Sequence, residues 1–243
     1  MERVSNTGLL VVTPTLNERD NVRVFAHGLF NSCPEAHLLF VDDDSPDGTG
    51  AVLDELSAED PRVHVLHRSG RLGLGSAYVD GFVWGLSNGY QRIAEMDADL
   101  SHDPRDLPKL AAALDDGADL ALGSRNIAGG GVRGWGVGRH LLSKGGSAYS
   151  RLGLGVSIRD MTTGFKLYSR RALLTIEPMS LRSNGYAFQI ETTVRALRRG
   201  LQVVEVPIVF VDRRVGQSKM NLGICVEAFG FVLRTRAKGA LGF

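Results

Sequence analysis

The first half of the chain alternates short apolar runs with stretches of helical period, and this alternation is the feature that most restricts its fold. Leu9–Thr15, His37–Asp42, Arg62–Leu66, Arg92–Asp97 and Ala118–Gly123 are brief Val/Leu/Ile-rich runs bounded by turn residues, and they read as strands. Between them, Arg19–Ser32, Thr49–Ala58, Leu74–Ser87 and Asp103–Asp116 read as helices. Asp103-Pro104 supplies an N-cap followed by Pro at the first helical position, with Ser101 as a competing cap. A β-α-β-α order of this kind implies an α/β, Rossmann-like domain with a mostly parallel central sheet flanked by helices. Its ligand crevice belongs at the carboxyl ends of the strands.

The second half is less regular. Val137–Leu152 and the amphipathic Gly185–Arg199 read as helices and Phe165–Tyr168 as a strand, while Gln202–Val209 reads as a strand whose Pro207 favours an edge or a bulge. With no linker or repeat, 43% hydrophobic residues over 243 positions suit one continuous core. A net charge of +1 argues against a dedicated nucleic-acid binder. Cys33 and Cys225 are far apart and lack metal-ligand company, which disfavours a disulfide framework or a zinc site. The apolar run Leu9–Val12 is too short for a signal-peptide core, and no stretch approaches the roughly 18 apolar residues of a membrane span, so the expectation is a cytoplasmic chain.

Acidic residues recur where the expected strands finish: Glu18 after Pro14-Thr15-Leu16-Asn17, the run Asp42-Asp43-Asp44 after Val41, and Asp97-Ala98-Asp99 after Met96. In a doubly wound sheet these ends converge. Residues i and i+2 of an extended segment point the same way, so Asp97 and Asp99 can face one cation, and hard oxygen ligands suit Mg²⁺ or Mn²⁺. Alone, an Asp-x-Asp is also what a solvated turn presents. Arg125, Arg139, Arg213 and Lys219 follow in the second half as candidates for phosphate charge, although each by itself would pass for a surface cation. Gly70–Gly75 has the wrong spacing for a dinucleotide fingerprint and reads as a loop opening a helix, near a phosphate. No P-loop, nucleophile elbow or HExxH is present.

Taken in order, Pro14–Glu18, Val41–Thr49, Gly73–Gly75, Met96–His102, Gly123-Ser124-Arg125, Asp160–Phe165, Gly185–Gln189 and Val211-Asp212-Arg213 with Gly216-x-Ser218-Lys219 resemble the inverting family 2 glycosyltransferases of GT-A fold. Within them the set is similar to the dolichyl-phosphate (polyprenyl-phosphate) mannose synthases, over about residues 9–220. The resemblance implies a GT-A catalytic domain over 1–221, with a nucleotide- and metal-binding half (1–117), an acceptor half (118–221) and an apolar, basic tail (222–243). It implies transfer of mannose from GDP-mannose to a dolichyl or polyprenyl monophosphate, dependent on Mg²⁺ or Mn²⁺. By the same resemblance Pro14, Leu16, Glu18, Val41, Asp42, Asp44, Asp97, Ala98, Asp99, Arg213 and Lys219 bind the nucleotide sugar. Asp97, Asp99 and Ser101 hold the metal, and Arg125, Arg139 and Ser143 receive the acceptor phosphate. The catalytic set is then Asp99, Arg125, Arg139 and Arg213. Leu16 stands where the family usually has Tyr, Ser101 where some relatives carry a metal-contacting Gln, and Asn126 where an aromatic is frequent.

A lipid phosphate, with its second pKa at about 6, arrives largely anionic and needs no general base. The same residues leave open a hexosyl transferase using a UDP or GDP donor, or a catalytically silent nucleotide-sugar-binding subunit of a membrane enzyme. To meet its acceptor the chain would lie on the cytoplasmic face of a membrane or borrow a membrane partner. Ile224–Leu233, followed by Arg234, Arg236 and Lys238, is either an interfacial segment or a core-packing helix. Gly129–Gly136 is expected as a mobile acceptor loop whose Trp135 dips into the interface.

Overall fold

The computed structural model describes residues 8–212, 230–233 and 236. The expected alternation is realised as β1 (Leu9–Thr15), α1 (Val22–Ser32), β2 (His37–Asp42), α2 (Thr49–Glu59), β3 (Val63–His67), α3 (Leu74–Ser87) and β4 (Arg92–Glu95). A 3₁₀ turn at Pro104–Asp106 leads into α4 (Leu107–Asp115), β5 (Leu120–Ser124), β6 (Gly131–Arg133) and α5 (Val137–Leu154). Then come β7 (Lys166–Ser169), α6 (Arg170–Ile176), α7 (Gly185–Arg198), β8 (Val203–Pro207) and β9 (Val209–Val211). The main sheet has seven strands in the order β3-β2-β1-β4-β7-β5-β8, and β6 pairs with β9 in a small second sheet. Only β7 runs antiparallel to its neighbours.

β1 is apolar on both faces because the sheet is covered on both. Leu10 and Val12 enter one core with Tyr78 and Phe82, while Val11 enters the other with Phe25 and Leu29. α3 lies close against the sheet through glycines spaced one turn apart. A Cβ at Gly81 would stand 2.2 Å from Val12 Cγ1, and one at Gly85 2.7 Å from Ile93 Cδ1. The capping reading holds for Asp103, whose side chain accepts from Arg105 N, while the Ser101 N–H turns back to Asp99 instead.

The irregular second half departs from expectation in definite ways. The Gln202–Val209 strand is two strands. β8 is the edge strand paired with β5; after Pro207, which has no N–H to donate, the chain crosses to the second sheet as β9. Gly129–Gly136 is not a loose loop, since Gly131–Arg133 pairs with Val209–Val211 and the Trp135 ring packs edge-on against Phe210 at 5.2 Å. The tryptophan is thereby a packing residue. α6, unforeseen from its seven residues, is capped by Ser169 Oγ accepting from Ala172 N at 3.1 Å. In the tail, Val232 is buried, and a Cβ at Gly153 of α5 would lie 2.6 Å from it, so this part packs as core; Leu233 is exposed. Residues 224–229, Arg234 and Lys238 lie outside the described residues. Among the described residues no helix is long and apolar enough to cross a membrane.

At the opposite end of the sheet from the carboxyl ends of its parallel strands, His37 Nδ1 and His64 Nε2 are 3.1 Å apart in stacked rings beside Tyr90. Burial lowers both pKa values, helped by Arg62 at His37 and by the charge of His37 at His64. The unfolded chain therefore takes up protons first, and the stability contributed by the neutral pair, full above about pH 6.5, is lost as pH falls towards the folded values. A thermal melt from pH 7 to pH 5 is expected to show a falling Tm, with a shallower slope in His64→Gln.

Candidate active site

Parallel pairing places the carboxyl ends of β1, β2 and β4 on one edge. Thr15 is in register with Asp42, and Val12 with Glu95, two residues before Asp97. At each end the chain turns through a left-handed non-glycine residue, Asn17 (φ 58°), Asp44 (φ 58°) and Leu100 (φ 61°). Asn and Asp tolerate this conformation, but for a leucine it is strained, and such strain concentrates at functional sites. It lets the chain double back so that Ser101 N donates to Asp99 Oδ1 at 3.0 Å.

Asp97 Oδ1 accepts from the buried Tyr78 hydroxyl at 2.7 Å. Burial first, then the charges of Asp97 and Glu95, drive the phenol well above its usual pKa, so it remains a donor. Asp99 is nearly buried; Ser101 is 1% exposed, and its hydroxyl has no partner among the described residues. No group of three or more His, Cys, Asp or Glu among the described residues could hold a metal alone. Two braced carboxylates without nitrogen or sulfur ligands fit Mg²⁺ or Mn²⁺ completed by phosphate and water oxygens. Beside them His102 is packed against Phe165 and Phe210; burial lowers its pKa to about 4, against the pull of Asp99, so it is neutral.

The other expected nucleotide residues divide. Asp42 accepts from Thr15 Oγ1 (2.9 Å), Ser45 Oγ (2.7 Å) and Ser45 N (3.2 Å), a carboxylate rigidly mounted at the crevice edge. Asp44 is exposed; Pro14, Leu16 and Glu18 are half-buried. Val41 has no exposed surface and Ala98 only 2%. The Gly-rich loop is also spoken for. Leu72 N and Gly73 N donate to Asp43 at 3.0 and 2.9 Å, and Arg68 pairs with the same carboxylate, so these N–H groups hold the loop shut and do not await a phosphate.

In the second half, Arg125 is 9% exposed and committed to Asp160, with Nε and Nη2 each 2.7 Å from its oxygens and Nη2 also reaching Thr162. Its guanidinium faces the rings of Trp135 and Phe210. Burial would raise Asp160, but the Arg125 charge and hydrogen bonds outweigh it and leave the carboxyl below its usual range. Arg125, expected at the acceptor phosphate, is a buried cation paired with Asp160, at the wall of a cavity of about 430 Å³ also lined by Lys144, Arg151 and Arg159. Arg139 falls in the first turn of α5, with its side chain outside the described part, and Ser143 is half-buried one turn on. Arg213 and Lys219 lie outside the described residues.

The profile of Glycosyl transferase family 2 matches residues 10–176, more than half of the chain. The chain belongs to this family. It is 49% identical over 233 residues to the polyprenol monophosphomannose synthase of Mycolicibacterium smegmatis, covering 96% of this chain and 88% of that protein. It is 46% identical over 226 residues to the undecaprenyl-phosphate mannosyltransferase of Micrococcus luteus, covering 93% of each. Among solved structures, glucosyl-3-phosphoglycerate synthase from Mycobacterium tuberculosis, in complex with Mn²⁺, uridine diphosphate and glucosyl-3-phosphoglycerate, superposes with a TM-score of 0.71. That match covers 97% of this chain and 82% of that one at 20% identity, a likeness of fold. The α/β domain is thus a family 2, GT-A-like fold.

Beneath the family's Asp-x-Asp lies a charge pair that the motifs did not reveal. Lys166 sits opposite Glu95 in the β4–β7 register, both fully buried and 3.3 Å apart. Lys166 Nζ also donates to Gln189 O (2.9 Å), Gln189 Oε1 (2.7 Å) and Thr192 Oγ1 (2.9 Å). Burial raises Glu95 and lowers Lys166, each opposed by the other's charge. The available signal was a lysine inside the apolar run Phe165–Tyr168, which an interior strand tolerates only with a partner. Lys166→Met is expected to destabilise by about 3–5 kcal/mol in urea unfolding, and adding Glu95→Leu to recover much of that loss.

Proposed function

We propose that this chain transfers mannose from GDP-mannose to a polyprenyl monophosphate, with inversion at the anomeric carbon and with Mg²⁺ or Mn²⁺ bound at Asp97 and Asp99. The observation that carries the reading is the braced carboxylate pair at the end of β4, on the edge shared with Asp42. The high identity to two polyprenyl-phosphate mannosyltransferases supports the choice of sugar and acceptor.

The chain's own residues then have the following work. Asp42, Asp44, Pro14, Leu16 and Glu18 border the nucleoside. Asp97 and Asp99, held by Tyr78 and the Ser101 N–H, present the metal diphosphate in one orientation. The bound cation would offset charge growing on the departing nucleoside diphosphate. Arg139 and Ser143 on α5 receive the acceptor phosphate, with Arg125 as a fixed cation behind them, and Arg213 and Lys219 take donor phosphate charge. No residue need remove a proton, because the acceptor phosphate is already anionic at neutral pH. Contact with the acceptor's membrane is peripheral.

Purified protein incubated with labelled GDP-mannose, a short polyprenyl phosphate and Mn²⁺ or Mg²⁺ is expected to yield labelled lipid, whereas UDP-glucose is not. Asp99→Ala should lower kcat by at least about 100-fold, the scale of losing one charge-stabilising group, and Arg139→Ala should chiefly raise KM for the lipid phosphate. Wild-type turnover in Asp99→Ala would remove the carboxylate pair from the mechanism.

A further inference from the structure

The cavity of about 430 Å³ beside Arg125 carries more positive charge in its walls than the fold uses. Arg125, Asn126, Gly130, Lys144, Arg151 and Arg159 line it, and none of its lining residues is acidic. Arg125 spends its charge on Asp160. Lys144, Arg151 and Arg159 have no ion pair among the described residues, whereas Arg23, Arg92, Arg105 and Arg199 elsewhere in the chain each meet a carboxylate. The walls are built by the fold itself. Asn126 Nδ2 donates to Arg159 O at 3.2 Å, and Arg159 N donates to Glu205 at 2.9 Å. Gly130 N donates to Ile127 O at 3.0 Å in a turn so close that a Cβ at Gly130 would stand 2.4 Å from Ser124 O.

At about 100° per residue, Lys144, Ala148 and Arg151 share one face of α5, roughly 120° round the helix from the positions of Arg139 and Ser143. The cavity thus adjoins a different face from the pair expected at the acceptor phosphate. Three cations around an acid-free hollow suit a phosphate group, to which Arg and Lys offer charge together with several N–H donors. Beside them the surface turns apolar: Leu152, next to Arg151, is 73% exposed, and Leu233, next to the Val232 that packs on Gly153, is 61% exposed. A free anion gains nothing from exposed leucines, whereas a phospholipid supplies a headgroup phosphate and an acyl boundary together. We propose that this end of α5 is a membrane-docking site. The headgroup phosphate of an anionic phospholipid sits in the cavity on Lys144, Arg151 and Arg159, with Leu152 and Leu233 at the acyl boundary. This rests on the reading of the acceptor as a membrane lipid, and it assigns to named residues the peripheral contact that such an acceptor requires.

Vesicles of phosphatidylglycerol and phosphatidylcholine, free of any polyprenyl phosphate, are expected to sediment the wild-type protein, and pure phosphatidylcholine vesicles to do so at least about tenfold less. Lys144→Ala, Arg151→Ala and Arg159→Ala combined should lower partitioning onto the anionic vesicles at least about tenfold, and Leu152→Ser with Leu233→Ser at least about threefold. A control combining Arg23→Ala, Arg105→Ala and Arg199→Ala removes the same charge elsewhere and should stay within about twofold, since exposed ion pairs contribute little to the fold. In every variant the KM for a short, soluble polyprenyl phosphate is expected to stay within about twofold of wild type, and inorganic phosphate at constant ionic strength is expected not to release the protein from vesicles. Equal sedimentation with both kinds of vesicle, wild-type partitioning in the cation or the leucine variant, or an equal loss in the control would overturn the proposal. So would a raised KM in the cation variant, which places those cations at the acceptor phosphate, or release by inorganic phosphate, which makes the cavity a site for the free anion. Should the triple variant not fold, Lys144→Glu at its exposed position carries the test, with an expected loss of at least about fivefold. Because these vesicles hold no acceptor, absence of mannosyl transfer by wild type would fail the mannosyltransferase reading and leave the sedimentation result standing.

Discussion

The buried pair of Glu95 and Lys166 joins the two halves of this molecule. β7 is the one antiparallel strand of the main sheet, placed between β4 from the first half of the chain and β5 from the second. Its first residue brings a cation opposite Glu95, with no exposed surface on either. Neither charge is tolerable there without the other, so the pair specifies the register of β4 against β7 as strongly as apolar packing does. Because Lys166 also takes two oxygens of Gln189 and one of Thr192, the same ammonium ties α7 to the sheet just below the Asp-x-Asp turn.

The second half of the chain repeats the principle with other residues. Asp160 is held by Arg125 and, through its own N–H, by Glu205, whose carboxylate also accepts from Ser124 Oγ and Arg159 N. β5, β8 and the segment before β7 are thereby fastened at one point near the end of the sheet. Among the described residues, Asp97 accepts from the Tyr78 hydroxyl, Asp99 from the Ser101 N–H, and Asp42 from Thr15 and Ser45.

Legibility of the sequence followed the range of the interactions. β1 and β2 and helix α3 lie where apolar period and turn residues place them, because those signals act within a few residues. β6 and β9 did not, since three-residue strands have no period of their own and exist only by pairing across residues 131–211. Trp135 suggested an exposed interfacial anchor until Phe210 and Arg125 were brought beneath it. Asp43 looked like one acid among three, yet it faces away from the crevice edge and closes the Gly-rich loop, a choice made by the pleat of β2 and by where Arg68 lands.

By itself the sequence determined the α/β alternation, the gathering of carboxylates at strand ends and the family to which they belong, because strand period, helix period and residue chemistry are written locally. Only the tertiary structure decided which charges are spent and which remain. Arg125 reads as an open cation and is neutralised by Asp160; Lys166 reads as an anomaly in a strand and becomes the tie between the sheet and α7. The physical reason is desolvation: a charge's fate depends on what surrounds it once water is removed, and those surroundings come from segments distant in the chain.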